Sequence, residues 1–266
     1  MAVLPPYSAI ELAFEPGIAT ITLSRPDKLN PLDWGTVKEL RRAIGDIGAR
    51  RGARVCIITG AGRAFSAGGD LEKYITLYRD AVGLQGFLDD FYHLLRDMER
   101  SPVIFLAAVN GPCVAGGIEL MLACDLVIAA QEAKIGCGHV NFGQLPGAGG
   151  SQRLPRAIGA LRAKHLMLTG RLVDGLEAER IGLAGEVVPQ AELLVAARRL
   201  AATMLEKSPS GLRGMKRLVN SGMAMPLEAA LRYEVDFVHG YASTDPDPME
   251  GLLAFRDKRK PRFLQD

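Results

Sequence analysis

A chain of 266 residues, 48% hydrophobic and 23% charged, has the composition of a globular protein and enough length for a sizeable core, which excludes a disordered chain. Its formal charge of +2 gives no argument for nucleic acid, and no basic leader or bilayer-length apolar run points to a membrane. The four cysteines (Cys56, Cys113, Cys124 and Cys137) lack metal-type spacing and read as reduced, buried thiols of a cytoplasmic protein without a bound metal.

In chain order, residues 17–24 read as a strand ended by Arg25 and Pro26. Asp33 is placed to cap a helix whose apolar positions Val37, Leu40, Ile44 and Ile47 follow helical spacing. A continuous apolar run at 55–59 predicts a strand buried on both faces, followed by a glycine-rich loop over 60–69. Leu84, Phe87, Leu88, Phe91, Leu94, Leu95 and Met98 trace an amphipathic helix that stops at Ser101 and Pro102. A second buried strand is expected over 103–109, then a turn at Asn110, Gly111 and Pro112, a helix over 118–123 and a strand over 126–129. This alternation predicts an α/β fold with parallel pairing and right-handed crossovers.

From Ser151 onward the pattern is helical almost throughout, with helices expected over 191–205, 226–241 and 248–258. The change near residue 190 divides an α/β core, 1–190, from a helical region, 191–266. The apolar faces of that region need cover from the core or from another subunit.

Two glycine turns run from strand-like into helix-like segments: Ala67, Gly68, Gly69, Asp70, and Ala115, Gly116, Gly117, Ile118, Glu119. A helix start carries unpaired N–H groups and the positive end of a dipole, so Gly69 and Gly116 can each offer an amide to an anionic oxygen. Ordinary tight turns have the same composition. Glu119 stands among Ile118, Leu120, Met121 and Leu122, where a carboxylate is costly unless it is paired, complements the helix dipole or serves chemistry. The later run Pro146, Gly147, Ala148, Gly149, Gly150 fits no nucleotide fingerprint, because no Lys–Ser/Thr follows it. The segment 72–85 is a candidate pocket wall. Tyr74, Tyr78 and Phe142 are aromatic positions that suit either a wall or the core.

Taken together, these residues resemble the enoyl-CoA hydratase/isomerase (crotonase) superfamily through nearly the whole chain. The resemblance is carried by Leu23, Ser24, Arg25, Pro26 with Leu29, Asn30; by 64–71; by Asn110, Gly111 leading to 116–120; by Ala123, Cys124, Asp125; and by 146–154 with Gly170, Arg171. Glu250, Gly251, Phe255, Lys258 and Arg259 look like the family's terminal helix. The resemblance implies a crotonase-like spiral of ββα repeats with a C-terminal helical trimerisation region, and a homotrimer or dimer of trimers. It implies an acyl-CoA substrate and no cofactor beyond the CoA moiety of that substrate.

It also implies that the amides of Gly69 and Gly116 form the oxyanion hole. Lys28, Leu29, Ala67, Asp70 and Leu71 then match the neighbourhood of the adenine and pantetheine, and Phe255 and Lys258 help hold CoA. Pro146 and Gly147 lie beside the acyl pocket. Glu119 matches the first of two glutamates used by typical hydratases, and the second falls at 139, where this chain has His139. Retention of the first carboxylate favours hydration of an enoyl-CoA, with Glu119 as principal acid/base and His139 assisting. Double-bond isomerisation is the second reading, and a non-catalytic acyl-CoA-binding homologue the third.

Overall fold

The structure is a computed structural model that describes residues 6–50 and 52–264. Strand β1 (Ile10–Glu15) and strand β2 (Ile18–Leu23) form an antiparallel hairpin. Helix α1 (Trp34–Ala49) starts as expected at Asp33, whose carboxylate accepts the Thr36 N–H at 2.9 Å, and buries Val37, Leu40, Ile44 and Ile47. The runs expected to be buried are β3 (Val55–Gly60) and β4 (Ile104–Val109), each buried at every residue. With β6 (Leu126–Ala130) and β8 (Glu186–Val188) they complete a six-stranded sheet ordered β1-β2-β3-β4-β6-β8, parallel throughout after the hairpin.

Side-chain alternation along the central strands feeds two cores. Cys56, Ile58, Phe105 and Ala107 face α1 and α3 (Ala81–Arg100), where Phe87, Phe91, Leu94, Leu95 and Met98 lie. Val55, Ile57, Leu106 and Ala108 face α8 (Leu193–Leu205) through Leu193, Ala197 and Ala201. Burial on both faces explains why these strands read as unbroken apolar runs.

A second, small layer carries the turns. Strands β5 (Cys113–Val114) and β7 (Ile135–Gly136) pair in parallel, Ser66 bridges to Cys113, and Ile135 bridges to Val173. Each main-sheet strand β3, β4 and β6 is thus followed by a short second-layer segment and then a helix. Those helices are α2 (Leu71–Leu77) with α3, α4 (Gly116–Leu122), and α5 (Gly150–Ile158) with α6 (Ala160–Thr169) and α7 (Gly175–Arg180). The sequence reading contains none of β1, β5, β7 or β8. It takes the last of these for part of a helical region.

The last strand, β8, ends at Val188, and α8 beyond it is a layer of the α/β body. The helices that stand outside it are α9 (Pro209–Gly222), α10 (Leu227–Thr244) and α11 (Asp247–Arg256). Lys216 on α9 is buried and fastens them: its ammonium donates to the carbonyls of Met98 (2.8 Å) and Val103 (2.7 Å) and to Asp125 Oδ2 (2.9 Å). Helix α10 buries no residue within the chain and exposes Leu227, Leu231, Val235 and Val238 at helical spacing. Among the described residues, no helix is long and apolar enough to cross a membrane.

Candidate active site

The two glycine turns come together because the second layer pulls their strands side by side. Val114 N–H donates to the Ser66 carbonyl at 2.9 Å, and Ser66 N–H donates to the Pro112 carbonyl at 3.0 Å. Gly117 lies so close to Ser66 that any Cβ there would collide with the Ser66 carbonyl. Gly68 abuts the other turn, since a Cβ on it would stand 2.8 Å from Ala115 Cβ and 3.6 Å from Gly116 N. The loop over 60–69 is braced by Asn110, which accepts from Gly60 N–H, and by Asn30, which donates to the Ala61 and Ala64 carbonyls. Neither Gly69 N–H nor Gly116 N–H donates to an acceptor among the described residues.

Ala115, which sequence reasoning gave no role, is held at φ 52°, ψ −117°, a conformation L-residues rarely adopt. Its N–H is shared between the carbonyls of Gly136 (3.3 Å) and Cys137 (3.1 Å), and its carbonyl accepts Glu119 N–H at 3.3 Å. The strained residue sets the direction in which the next amide, that of Gly116, faces. A non-glycine residue at positive φ leaves no one-dimensional signature, so only the structure reveals it.

Glu119 stands in the first turn of α4 and is 2% exposed. Its Oε1 accepts two amides, Ala148 N–H and Gly150 N–H, each at 2.8 Å. Its Oε2 lies 3.7 Å from His139 Nε2, too far for a direct hydrogen bond and close enough for one small polar group to touch both. Burial pushes the Glu119 carboxyl above its ordinary range, against the pull of the two amides and of Arg153. Burial also pushes His139 below the usual imidazole range, while the Cys137 carbonyl acts to retain its proton. Burial thus disfavours the charged form of each group, and the two amides with Arg153 act to restore it at Glu119. His139 Nδ1 is buried and makes no formed hydrogen bond among the described residues.

Tyr74 covers Gly69: a Cβ on that glycine would fall within the Tyr74 ring. The ring meets Phe87 edge-on at 5.6 Å, and Phe87 lies 5.9 Å from Phe91, which in turn backs Gly116. An aromatic wall therefore runs from one turn to the other. Phe87 and Phe91 were legible only as a helix stripe. Burial raises the Tyr74 phenol, and the negative charge of Glu119 adds to the effect. Leu88 packs over Gly147, and Pro146 lies against Gly150. Phe142, also expected on a wall, is instead 80% exposed on the turn His139–Phe142. The Tyr78 hydroxyl hydrogen-bonds Gln144 and so ties α2 to the loop that follows His139.

Asp70 caps α2 through Lys73 N–H, and its Oδ2 accepts Arg25 Nη2 and Lys28 Nζ, each at 3.2 Å. Arg25 Nη1 also donates to Asp33 Oδ2 at 2.5 Å, where Lys73 Nζ arrives at 2.7 Å. Burial works to raise the Asp33 carboxyl, but Lys73, Thr36 N–H and Arg25 outweigh it and hold it down to about 2. Lys28, Leu29, Ala67, Asp70 and Leu71 thus gather around one charged cluster and one turn. The Ala67 N–H donates to the Leu29 carbonyl at 3.0 Å, while Leu71 is exposed. Phe255, 87% exposed, and Lys258 belong to α11 and the turn after it, which pack on α10.

Comparison with known proteins gives the family. The enoyl-CoA hydratase/isomerase family model matches residues 13–266. A Mycobacterium bovis protein named probable enoyl-CoA hydratase echA8 is 39% identical, over 97% of this chain and 98% of its own length. A crotonyl-CoA hydratase of Syntrophomonas wolfei is 36% identical over 97% and 98%. Among solved structures, the enoyl-CoA hydratase of Bacillus anthracis superposes with a TM-score of 0.90 at 34% identity, covering 96% of this chain and 99% of that one. The chain belongs to the enoyl-CoA hydratase/isomerase (crotonase) superfamily, whose members act on CoA thioesters.

Proposed function

We propose that the protein is an enoyl-CoA hydratase. One observation carries the reading: Glu119 is buried with Oε1 occupied by two backbone amides and Oε2 directed at His139, beside two turns that each keep an amide undonated among the described residues. In this reading the thioester carbonyl accepts the Gly69 and Gly116 N–H groups. Each such donor is worth on the order of 3 kcal/mol at the transition state. Glu119 Oε2 takes a proton from water as the water oxygen bonds to Cβ. The electron pair of the double bond moves onto the thioester as an enolate, and Glu119 returns the proton to Cα. His139 Nε2 orients the water. The elements of one water are added and nothing is oxidised or reduced, so no further cofactor is called for.

Lys28, Leu29, Ala67, Asp70 and Leu71 are proposed to receive the adenine and pantetheine, with Tyr74, Pro146 and Gly147 at the acyl group. Residues 1–190 then form the acyl-CoA-binding core. Residues 191–266 supply oligomerisation and pocket closure, in a trimer or pair of trimers acting in the cytoplasm. The bare apolar stripe of α10 supports this division, as does the exposure of Phe255 away from the core. Phe255 and Lys258 would reach CoA from such an interface.

The test presents short, long, branched and aromatic enoyl-CoAs and follows loss of the conjugated thioester absorbance, with product analysis. Water addition that disappears in Glu119→Gln supports hydration. Bond migration without water addition gives isomerase, and tight acyl-CoA binding without turnover gives the non-catalytic homologue.

A further inference from the structure

Two amides reach Glu119 Oε1 where a glycine-rich loop enters α5: Ala148 N–H from the loop, which has no regular structure to keep it aimed, and Gly150 N–H from the first residue of the helix. Gly149 between them lies at φ +100°. The peptide that separates the two donating peptides is the one whose carbonyl belongs to Ala148, and that carbonyl accepts Arg153 Nη1 at 2.8 Å. Arg153 Nε donates in turn to Glu99 Oε1 at 2.6 Å, while Arg96 holds the other oxygen of Glu99. The guanidinium lies against Gly149 so closely that a Cβ there would collide with Nη1. Arg153 N–H itself donates to the Gly149 carbonyl at 2.8 Å. The side chain is largely covered, as is that of Glu99.

We infer that Arg153 is a positioning residue for Glu119: seated by Glu99, its guanidinium locks the loop so that two amides hold Oε1 and Oε2 alone is left to the chemistry. A planar fork suits this task because it binds a carbonyl and a carboxylate in one fixed plane, which a lysine cannot do. The charge has a second effect. The other titratable groups that bear on Glu119 are His139, Tyr74 and Cys137, and burial keeps each of them neutral at neutral pH. Arg153 is the permanent cation that favours the Glu119 carboxylate against burial. It therefore holds the base both in orientation and in its ionised form.

The inference rests on the proposed role of Glu119 as the base, so the experiment has an arm that needs no turnover. In the full-length protein, Glu119 is titrated without ligand by infrared difference between each variant and its Glu119→Gln counterpart, alongside crotonyl-CoA kinetics across pH. Arg153→Gln is expected to lower kcat about 10-fold or more with KM changed by less than about 3-fold. It should also move the acidic limb of kcat and the carboxylate midpoint together to higher pH. Arg153→Lys keeps the charge and should hold the midpoint near the parental value while restoring only part of kcat. An unmoved midpoint in Arg153→Gln, or a loss confined to KM, overturns the inference. If Arg153→Gln does not fold, Glu99→Gln decides: a several-fold fall in kcat supports the seat, and parental kcat overturns it. Absence of hydration in the parent defeats the reading of function alone, since the midpoint still reports on Arg153.

Discussion

The two sides of the Glu119 carboxylate are built on opposite plans. The Oε1 contacts and the paired glycine turns are built mainly from backbone: amides from 148 and 150 braced by Arg153, a bridged second layer, and a strained Ala115. The Oε2 side faces the His139 side chain, whose buried Nδ1 has no formed hydrogen bond among the described residues and whose Nε2 makes no direct bond to the carboxylate. The first is over-determined and tolerates no added atoms at Gly117. The second depends on a single imidazole that no formed hydrogen bond fixes among the described residues. In the proposed mechanism the charge-stabilising groups are main-chain amides, and the proton chemistry falls to side chains.

The largest effect expected from breaking this contrast is on the shared residue. Glu119→Gln should lower hydration by about 10³-fold, within the usual range for loss of a general acid/base, with stability within about 1 kcal/mol of the parent. Stopped-assay kinetics and thermal melting check the two parts. On the backbone side, Ala115→Gly should relieve strain of about 1 kcal/mol and raise the melting temperature. The same change should lower kcat by about 10-fold because the Gly116 amide loses its fixed direction. If melting temperature and rate rise together, the strain has no function.

On the side-chain side, His139→Ala should lower kcat by about 10-fold, less than any loss at Glu119. Replacing His139 by Leu, which removes the unsatisfied nitrogen, should leave stability unchanged or improve it by about 1 kcal/mol, read by urea denaturation. The smallest effect concerns acid sensitivity away from the base. The Asp33 carboxyl is held at about 2 in the folded chain. An unfolded aspartate titrates near about 3.9, so its contribution is complete above that pH and is lost as pH falls toward about 2. Asp33→Asn should flatten the fall in stability over that window and leave the curve above pH 5 parallel to the parent.

Much of this was legible in the sequence for stated physical reasons. The cap at Asp33, the unbroken apolar strands β3 and β4, and the odd carboxylate in an apolar first turn are local signals. β1 alternates Ile10, Leu12 and Phe14 with Glu11, Ala13 and Glu15, a pattern that a search for half-covered strands can use. β5 and β7 have two residues each and β8 three, too few for any period to show. At the site, Glu119 could be singled out, but its amide partners lie in a glycine run whose spacing predicts only irregular chain. Arg153 stood within a motif without a role, because its partners, Glu99 and the Ala148 carbonyl, meet it only in three dimensions.

Lys216 bears on how the chain is made. Its three acceptors belong to residues 98, 103 and 125, all synthesised about a hundred residues before the ammonium that satisfies them. Until α9 emerges, the Met98 and Val103 carbonyls lack the ammonium that serves them, and Asp125 Oδ2 has the Phe105 N–H but no cation. Burial raises the Asp125 carboxyl even with Lys216 beside it. A nascent chain short of residue 216 therefore has a sheet that cannot close dry at that corner. The helical region is a late-arriving keystone for the core.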